Sequence, residues 1–81
     1  MSELKRVTGK RIVELCEIHN ISVNSLAMKS GLDSSMIRSI LDPTKKTIGL
    51  KTIKIICDGF GITLSDFFST PEFDELEQEL K

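Results

Sequence analysis

A single histidine and two cysteines, Cys16 and Cys57, leave this 81-residue chain short of the side chains that metal centres and nucleophilic sites draw on. The cysteines form no short metal-ligand pair and each lies in an apolar helical pattern, so both read as reduced, buried thiols and not as a disulfide or zinc site. His19 has no second histidine or Cys/Asp cluster beside it in sequence, which makes it an ordinary residue near the negative pole of a helix end and neither a ligand nor a base. Paired carboxylates, a glycine-rich phosphate loop and long pocket-building loops are also missing; the chain does not read as an enzyme, and no cofactor is expected. No apolar run approaches transmembrane length, and the polar, charged N-terminus lacks the signal-peptide pattern, so a cytoplasmic location is expected, with no membrane partner and no small-molecule ligand.

Strong charge of one sign is absent as well, since the net charge is −1. The distribution is uneven. Residues 1–70 carry ten Lys/Arg against seven Asp/Glu, and residues 71–81 carry one lysine against five acids. A mildly basic body therefore precedes an acidic tail.

What the chain does have is helical periodicity without strand alternation. Leu4, Val7, Ile12, Leu15, Cys16 and Ile18 approximate an amphipathic period that predicts a first helix over Leu4 to His19. Asn20 and Ile21 turn the chain, and Ser22 caps the next helix. Leu50, Ile53, Ile56, Cys57 and Phe60 fall at offsets of three and four, which predicts a core-facing helix ended by Gly61. Thr63 caps a short fifth helix with Leu64, Phe67 and Phe68 as its apolar content. Thr70 and Pro71 are a further start signal. The stripe Phe73, Leu76 and Leu80 beyond them is too narrow to hold an isolated helix in water, so it must pack on the domain or on a second copy. These signals describe an all-α chain of about the smallest size that sustains one core: a five-helix domain over residues 1–70 and a short acidic helical extension over 71–81.

The most specific stretch runs from Ser22 to Leu41. Ala27 offers a minimal side chain for close helix approach, and Gly31 can take positive φ to stop one helix and redirect the chain. Leu32 is an apolar plug at the turn, and Asp33 is a good N-cap for a second short helix. Ile37 and Ile40 anchor that helix inward, with Met36 partly buried, while Ser34, Ser35, Arg38 and Ser39 are polar and outward. A face of short hydroxyls and one arginine can enter a DNA major groove, because nothing on it is bulky and every group can donate a hydrogen bond. Asp42 to Gly49 then reads as a loop, with Pro43 ending the helix and Lys45 and Lys46 presenting paired positive charge.

With Leu26-Ala27, Gly31, Ile37, Ile40 and the closing run Ile56 to Leu64 in this order, residues 6–68 resemble the lambda-repressor-like, Cro/CI (XRE) helix-turn-helix family. The resemblance implies a five-helix bundle whose third helix, Asp33 to Leu41, lies in the major groove of double-stranded DNA. It assigns base contacts to Ser34, Ser35, Arg38 and Ser39. Phosphate contacts fall on Ser22, Asn24, Thr44, Lys45, Lys46 and Thr47. Val23 stands where the family usually has a phosphate-clamping glutamine, and Asp42 opposes a backbone approach by charge. Many members also pair an arginine of the first helix with a glutamate ending the third; those positions are Cys16 and Leu41 here. Loss of both halves implies a buried apolar contact between Cys16 and Leu41, since losing one alone would strand a charge.

Serine hydroxyls lack bidentate geometry, so Arg38 is expected to supply the main discriminating contact. A lone module reading through serines buries too little for specificity, which points to a homodimer with recognition helices about 34 Å apart on an inverted repeat. At least one of Phe67 and Phe68 must serve the core; the dimer patch is expected among Phe67, Phe68, Phe73, Leu76 and Leu80. The expectation is a sequence-specific transcriptional regulator, a repressor by family analogy. The rival is a protein-interaction module, antitoxin-like or an anti-repressor subunit, that keeps the fold.

Overall fold

The computed structural model describes residues 3–42 and 48–76, except the side chains of Ser34 and Ile37. Within them the backbone forms α1 (Glu3–Ile18), α2 (Val23–Ser30), α3 (Ser34–Leu41), α4 (Leu50–Phe60), α5 (Leu64–Phe67) and α6 (Pro71–Asp74). The turns are set by local chemistry that the sequence announces. Asn20, at φ 56°, takes the left-handed conformation that asparagine tolerates and turns the chain off α1. Ser22 Oγ then accepts from the Ser25 amide at 3.0 Å to open α2. Gly31, at φ 72°, closes α2 with its own amide on Ala27 and Met28 carbonyls, a conformation that a Cβ would strain. Thr63 Oγ1 accepts from the Asp66 amide at 3.0 Å to start α5.

One core joins these elements, with Ile12, Leu15, Cys16, Leu26, Ile40, Ile53, Ile56, Cys57, Phe60 and Phe67 in a continuous cluster. Both cysteines are buried free thiols whose pKa is raised, foremost by desolvation. Leu32 and Met36 are half-buried, as the turn and helix pattern predicts. Ile18 and Leu50 do not join the core: they are 66% and 65% exposed, so the inward stripes end at Cys16 and begin at Ile53. His19 lies past the helix end with its ring 4.8 Å from that of Phe60.

α2 packs chiefly on α4, with Gly59 of α4 set against Ser30 and Leu26 of α2. A Cβ there would lie 2.2 Å from Ser30 Oγ, a buried hydroxyl that makes no hydrogen bond among the described residues. This arrangement predicts strong coupling between the two positions. Gly59→Ala alone should destabilise by about 1–3 kcal/mol through overpacking. Ser30→Ala alone should be neutral or stabilise by about 1 kcal/mol, because a desolvated hydroxyl is removed. In the Ser30→Ala background the same glycine change should become neutral or favourable, since alanine gains helix propensity of about 1 kcal/mol. Urea midpoints of the four proteins measure this; strict additivity would show that the contact does not limit the packing.

Charged groups of α1 fasten the remaining elements. Arg11 donates from Nε to the Phe67 carbonyl at 2.8 Å and from Nη2 to the Asp66 carbonyl at 2.9 Å, and it also pairs with Glu14. The guanidinium thus covers carbonyls at the C-terminal end of α5. The acidic α6 folds back on α1, where Lys10 meets Glu72 at 3.0 Å. Glu3, Arg6 and Val7 of α1 share a cleft with Glu72, Glu75 and Leu76.

Candidate nucleic-acid interface

Among the described residues α2 and α3 form the turn geometry that the spacing predicts, and α3 turns Ser35 and Arg38 outward, with Leu41 exposed at the edge of the same face. Asp33 stands at the N-cap with φ −87° and ψ 172°. Its Oδ1 accepts the Met36 amide at 3.0 Å and the Ser35 hydroxyl at 2.7 Å. Ile40 is buried, while Ser35 and Arg38 are exposed. With 100° between successive residues, Arg38 lies at the middle of the outward face opposite Ile40. Ser39 sits further round: it is half-buried and lines a shallow pocket with Met36, Ile48, Gly49 and Thr52 at the start of α4.

The flanking candidates divide unevenly. Ser22 is exposed but its hydroxyl serves the α2 cap and donates to Ser25 Oγ at 3.0 Å, whereas Asn24 is exposed on the first turn of the helix. Thr44, Lys45, Lys46 and Thr47 lie outside the described residues. The positive end of α3 is already met by the Asp33 cap, whereas no acidic residue occupies the first turn or the N-cap of α2 or α4, so their positive dipole ends carry no local carboxylate. Such ends favour anions.

The bonds at Asp33 carry a pH signature. The Met36 amide first, and then the Ser35 hydroxyl, stabilise the carboxylate and hold its pKa below the usual aspartate value of 3.8. A pKa depressed by folding contributes stability that is present above the unfolded value and lost as pH falls through the folded one. Asp33→Asn should therefore flatten the fall in stability below about pH 4 while keeping a side-chain acceptor for the cap. Urea midpoints at pH 7 and pH 3 test it; equal acid sensitivity of the two proteins would assign the acid response elsewhere.

Two expected placements are corrected. Leu41 does not meet Cys16: Cys16 is buried in the core, but Leu41 is 54% exposed. The physical reason lies at the other end of α1. The end of α3 meets α1 through backbone carbonyls, with Lys5 Nζ donating to the Ile40 carbonyl at 2.8 Å and the Asp42 carbonyl at 3.2 Å. Leu41 consequently lies over Gly9 and Val13 on the outside of this junction. Seven residues of helix, about 10 Å, separate Gly9 from Cys16.

The second correction is Phe67, which is fully buried and serves the core instead of a partner surface. Its ring lies 4.9 Å from Phe68 and 6.1 Å from Phe73, and those two rings meet edge to face at 4.9 Å. Phe68, Phe73 and Leu76 are half-buried, and Leu80 lies outside the described residues. The described part of the extension, residues 71–76, thus packs on its own domain through Phe73.

Sequence reasoning missed Lys5 and Arg11 as structural groups. Lys5 is only 4% exposed. The signal was present for the lysine, because Lys5, Thr8, Ile12 and Leu15 share one helix face at offsets of three and four. Two of the basic residues counted toward a positive body are thereby turned onto carbonyl oxygens.

Comparison with known proteins agrees with this geometry. The profile of the Cro/C1-type HTH DNA-binding domain matches residues 11–72. The chain is similar to the HTH-type transcriptional regulator PuuR of Escherichia coli (strain K12) and of Shigella flexneri, at 33% identity over 72 residues in each case. The match takes in 89% of this chain and 38% of each relative, so the chain spans well under half the length of these curated relatives. Among solved structures it is similar to that titled "Crystal structure of the prophage Lp1 protein 11", with a TM-score of 0.85 and 26% identity over 94% of this chain and 100% of the other.

Proposed function

This chain belongs to the Cro/C1-type HTH DNA-binding family, and from that premise we propose that it is a sequence-specific repressor of transcription that binds an inverted repeat in double-stranded DNA as a homodimer. The observation that carries the reading is the outward face of α3, where exposed Arg38 stands between a capped N-terminus and an anchored C-terminus. Arg38 reads base edges and Ser35 adds a smaller contact. Ser34 belongs to the same set by its place in the family pattern. Asn24, the start of α4 and the segment holding Thr44, Lys45, Lys46 and Thr47 supply phosphate contacts. Phe68, Phe73, Leu76 and Leu80 are the dimer candidates once Phe67 is assigned to the core. The protein works in the cytoplasm.

Duplexes selected from a random pool, titrated by fluorescence anisotropy beside unselected duplex at two salt concentrations, test the proposal. Tighter binding to the selected duplex, two copies per site and a salt slope worth a few phosphates are expected. Equal affinity for any duplex would overturn specificity, and one copy per site would overturn the dimer. Exposed Val13 and Leu41 beside the end of α3 favour a second reading, a protein-interaction module, which wild-type failure to bind any duplex would bring forward.

A further inference from the structure

We propose that Lys5 is a positioning residue for the recognition helix: from α1 its ammonium holds the last carbonyls of α3 and sets the angle at which Ser35 and Arg38 face DNA, without contacting DNA itself. This inference rests on the DNA-reading role proposed above. It begins from how the helices end. α2 and α4 close on Gly31 and Gly61, whose left-handed backbones turn their own amides onto the preceding carbonyls. α3 has no such residue. At Asp42 the chain is extended, with φ −81° and ψ 113°. An end of this kind leaves its last carbonyls to water or to donors from outside the helix.

α1 supplies them. Lys5 Nζ reaches the Ile40 carbonyl at 2.8 Å and the Asp42 carbonyl at 3.2 Å. Gly9, one turn on, faces the same carbonyl: a Cβ there would stand 3.4 Å from the Ile40 oxygen, an ordinary van der Waals contact, so the end of α3 lies directly on this side of α1. Cation and dipole end are opposite in sign, so an ammonium is favoured at a helix C-terminus. A methionine would fill the same space with no ammonium to desolvate. What the ammonium adds is direction, as charge-assisted hydrogen bonds fix distance and angle where apolar packing does not. α3 has eight residues, about 12 Å of helix, and is thereby pinned at both ends, by Asp33 at its start and Lys5 at its finish. Recognition tolerates little slack, of the order of 0.5 Å in the reading groups.

The test compares wild type, Lys5→Met and Lys5→Arg well below the melting transition of the least stable protein, so that all are fully folded. The probes are the wild-type-selected duplex and a random duplex, and amide hydrogen exchange is followed on the free proteins. Lys5→Met should bind the selected duplex about tenfold more weakly and lose less on random duplex, with the salt slope unchanged because no phosphate contact is lost. Exchange at Ser39 to Leu41 should quicken relative to α4, and Lys5→Arg should recover part of both effects. If Lys5→Met does not fold, Lys5→Gln, which retains a donor, takes its place.

Unchanged affinity for both duplexes would reduce Lys5 to a stabilising residue and overturn the proposal. Equal losses on both duplexes with a shallower slope would make it a phosphate contact and overturn it too. A wild type that prefers no duplex would overturn the DNA-reading role instead; exchange at the end of α3 would then decide the anchoring alone, and unchanged exchange would overturn it.

Discussion

Replacing Phe67 with alanine is expected to remove about 3–5 kcal/mol of stability, the range for a large aromatic side chain taken from a closed core. Phe67 has no exposed surface, and its ring is the inner member of the trio with Phe68 and Phe73. The loss is compounded because its backbone carbonyl takes Arg11 Nε at 2.8 Å, so a shift of α5 into the vacated space would disturb that bond as well. A domain of 81 residues holds about 4–12 kcal/mol in all. Phe67→Ala should therefore leave the chain close to half unfolded or worse if the stability lies at the low end, and clearly shifted at any value. Urea unfolding followed by circular dichroism reads the change. A loss under about 1 kcal/mol would mean that α5 and α6 contribute little to the cooperative unit, a result at odds with the packing.

The second large effect concerns DNA. Arg38→Ala should weaken binding to the selected duplex by about 1–3 kcal/mol, or roughly five- to 150-fold, while weakening random-duplex binding much less. The reasoning is geometric: Arg38 is the exposed long donor on α3, and guanidinium forks discriminate base edges in ways that serine hydroxyls do not. Ser35→Ala should cost less, since that hydroxyl already donates to Asp33. The stability of Arg38→Ala should stay within about 0.5 kcal/mol of wild type, as suits an exposed position. Anisotropy titrations against both duplexes across salt decide it. Parallel loss on both, with a salt slope reduced by about one, would make Arg38 a phosphate contact and move base reading elsewhere.

How much was legible beforehand depends on how local the physics is. Ser22, Gly31, Asp33 and Thr63 act on amides or carbonyls within a few residues, and each does in the fold what its type and place imply. The inward run Ile53, Ile56, Cys57 and Phe60 was equally readable, because helical periodicity alone orients it. Leu41 was misread because its burial depends on where the end of α3 lands on α1, and a lysine 35 positions from Ile40 decides that landing. Arg11, 56 positions from Phe67, is the same kind of case. Both look like solvated charges to a pattern that counts only apolar residues. At the interface, Arg38 and Ser35 stand on the expected face, whereas Ser39 is drawn toward Ile48 and Thr52 by contacts that no local rule contains.

The cleft shared by Glu3, Arg6, Val7, Glu72, Glu75 and Leu76 brings the first and last described helices of the chain side by side. The Lys10–Glu72 pair joins the same two helices, so one carboxylate of the acidic segment is matched by a cation of α1, and the field that a polyanion meets along this edge is weaker than the charge count along the sequence suggests.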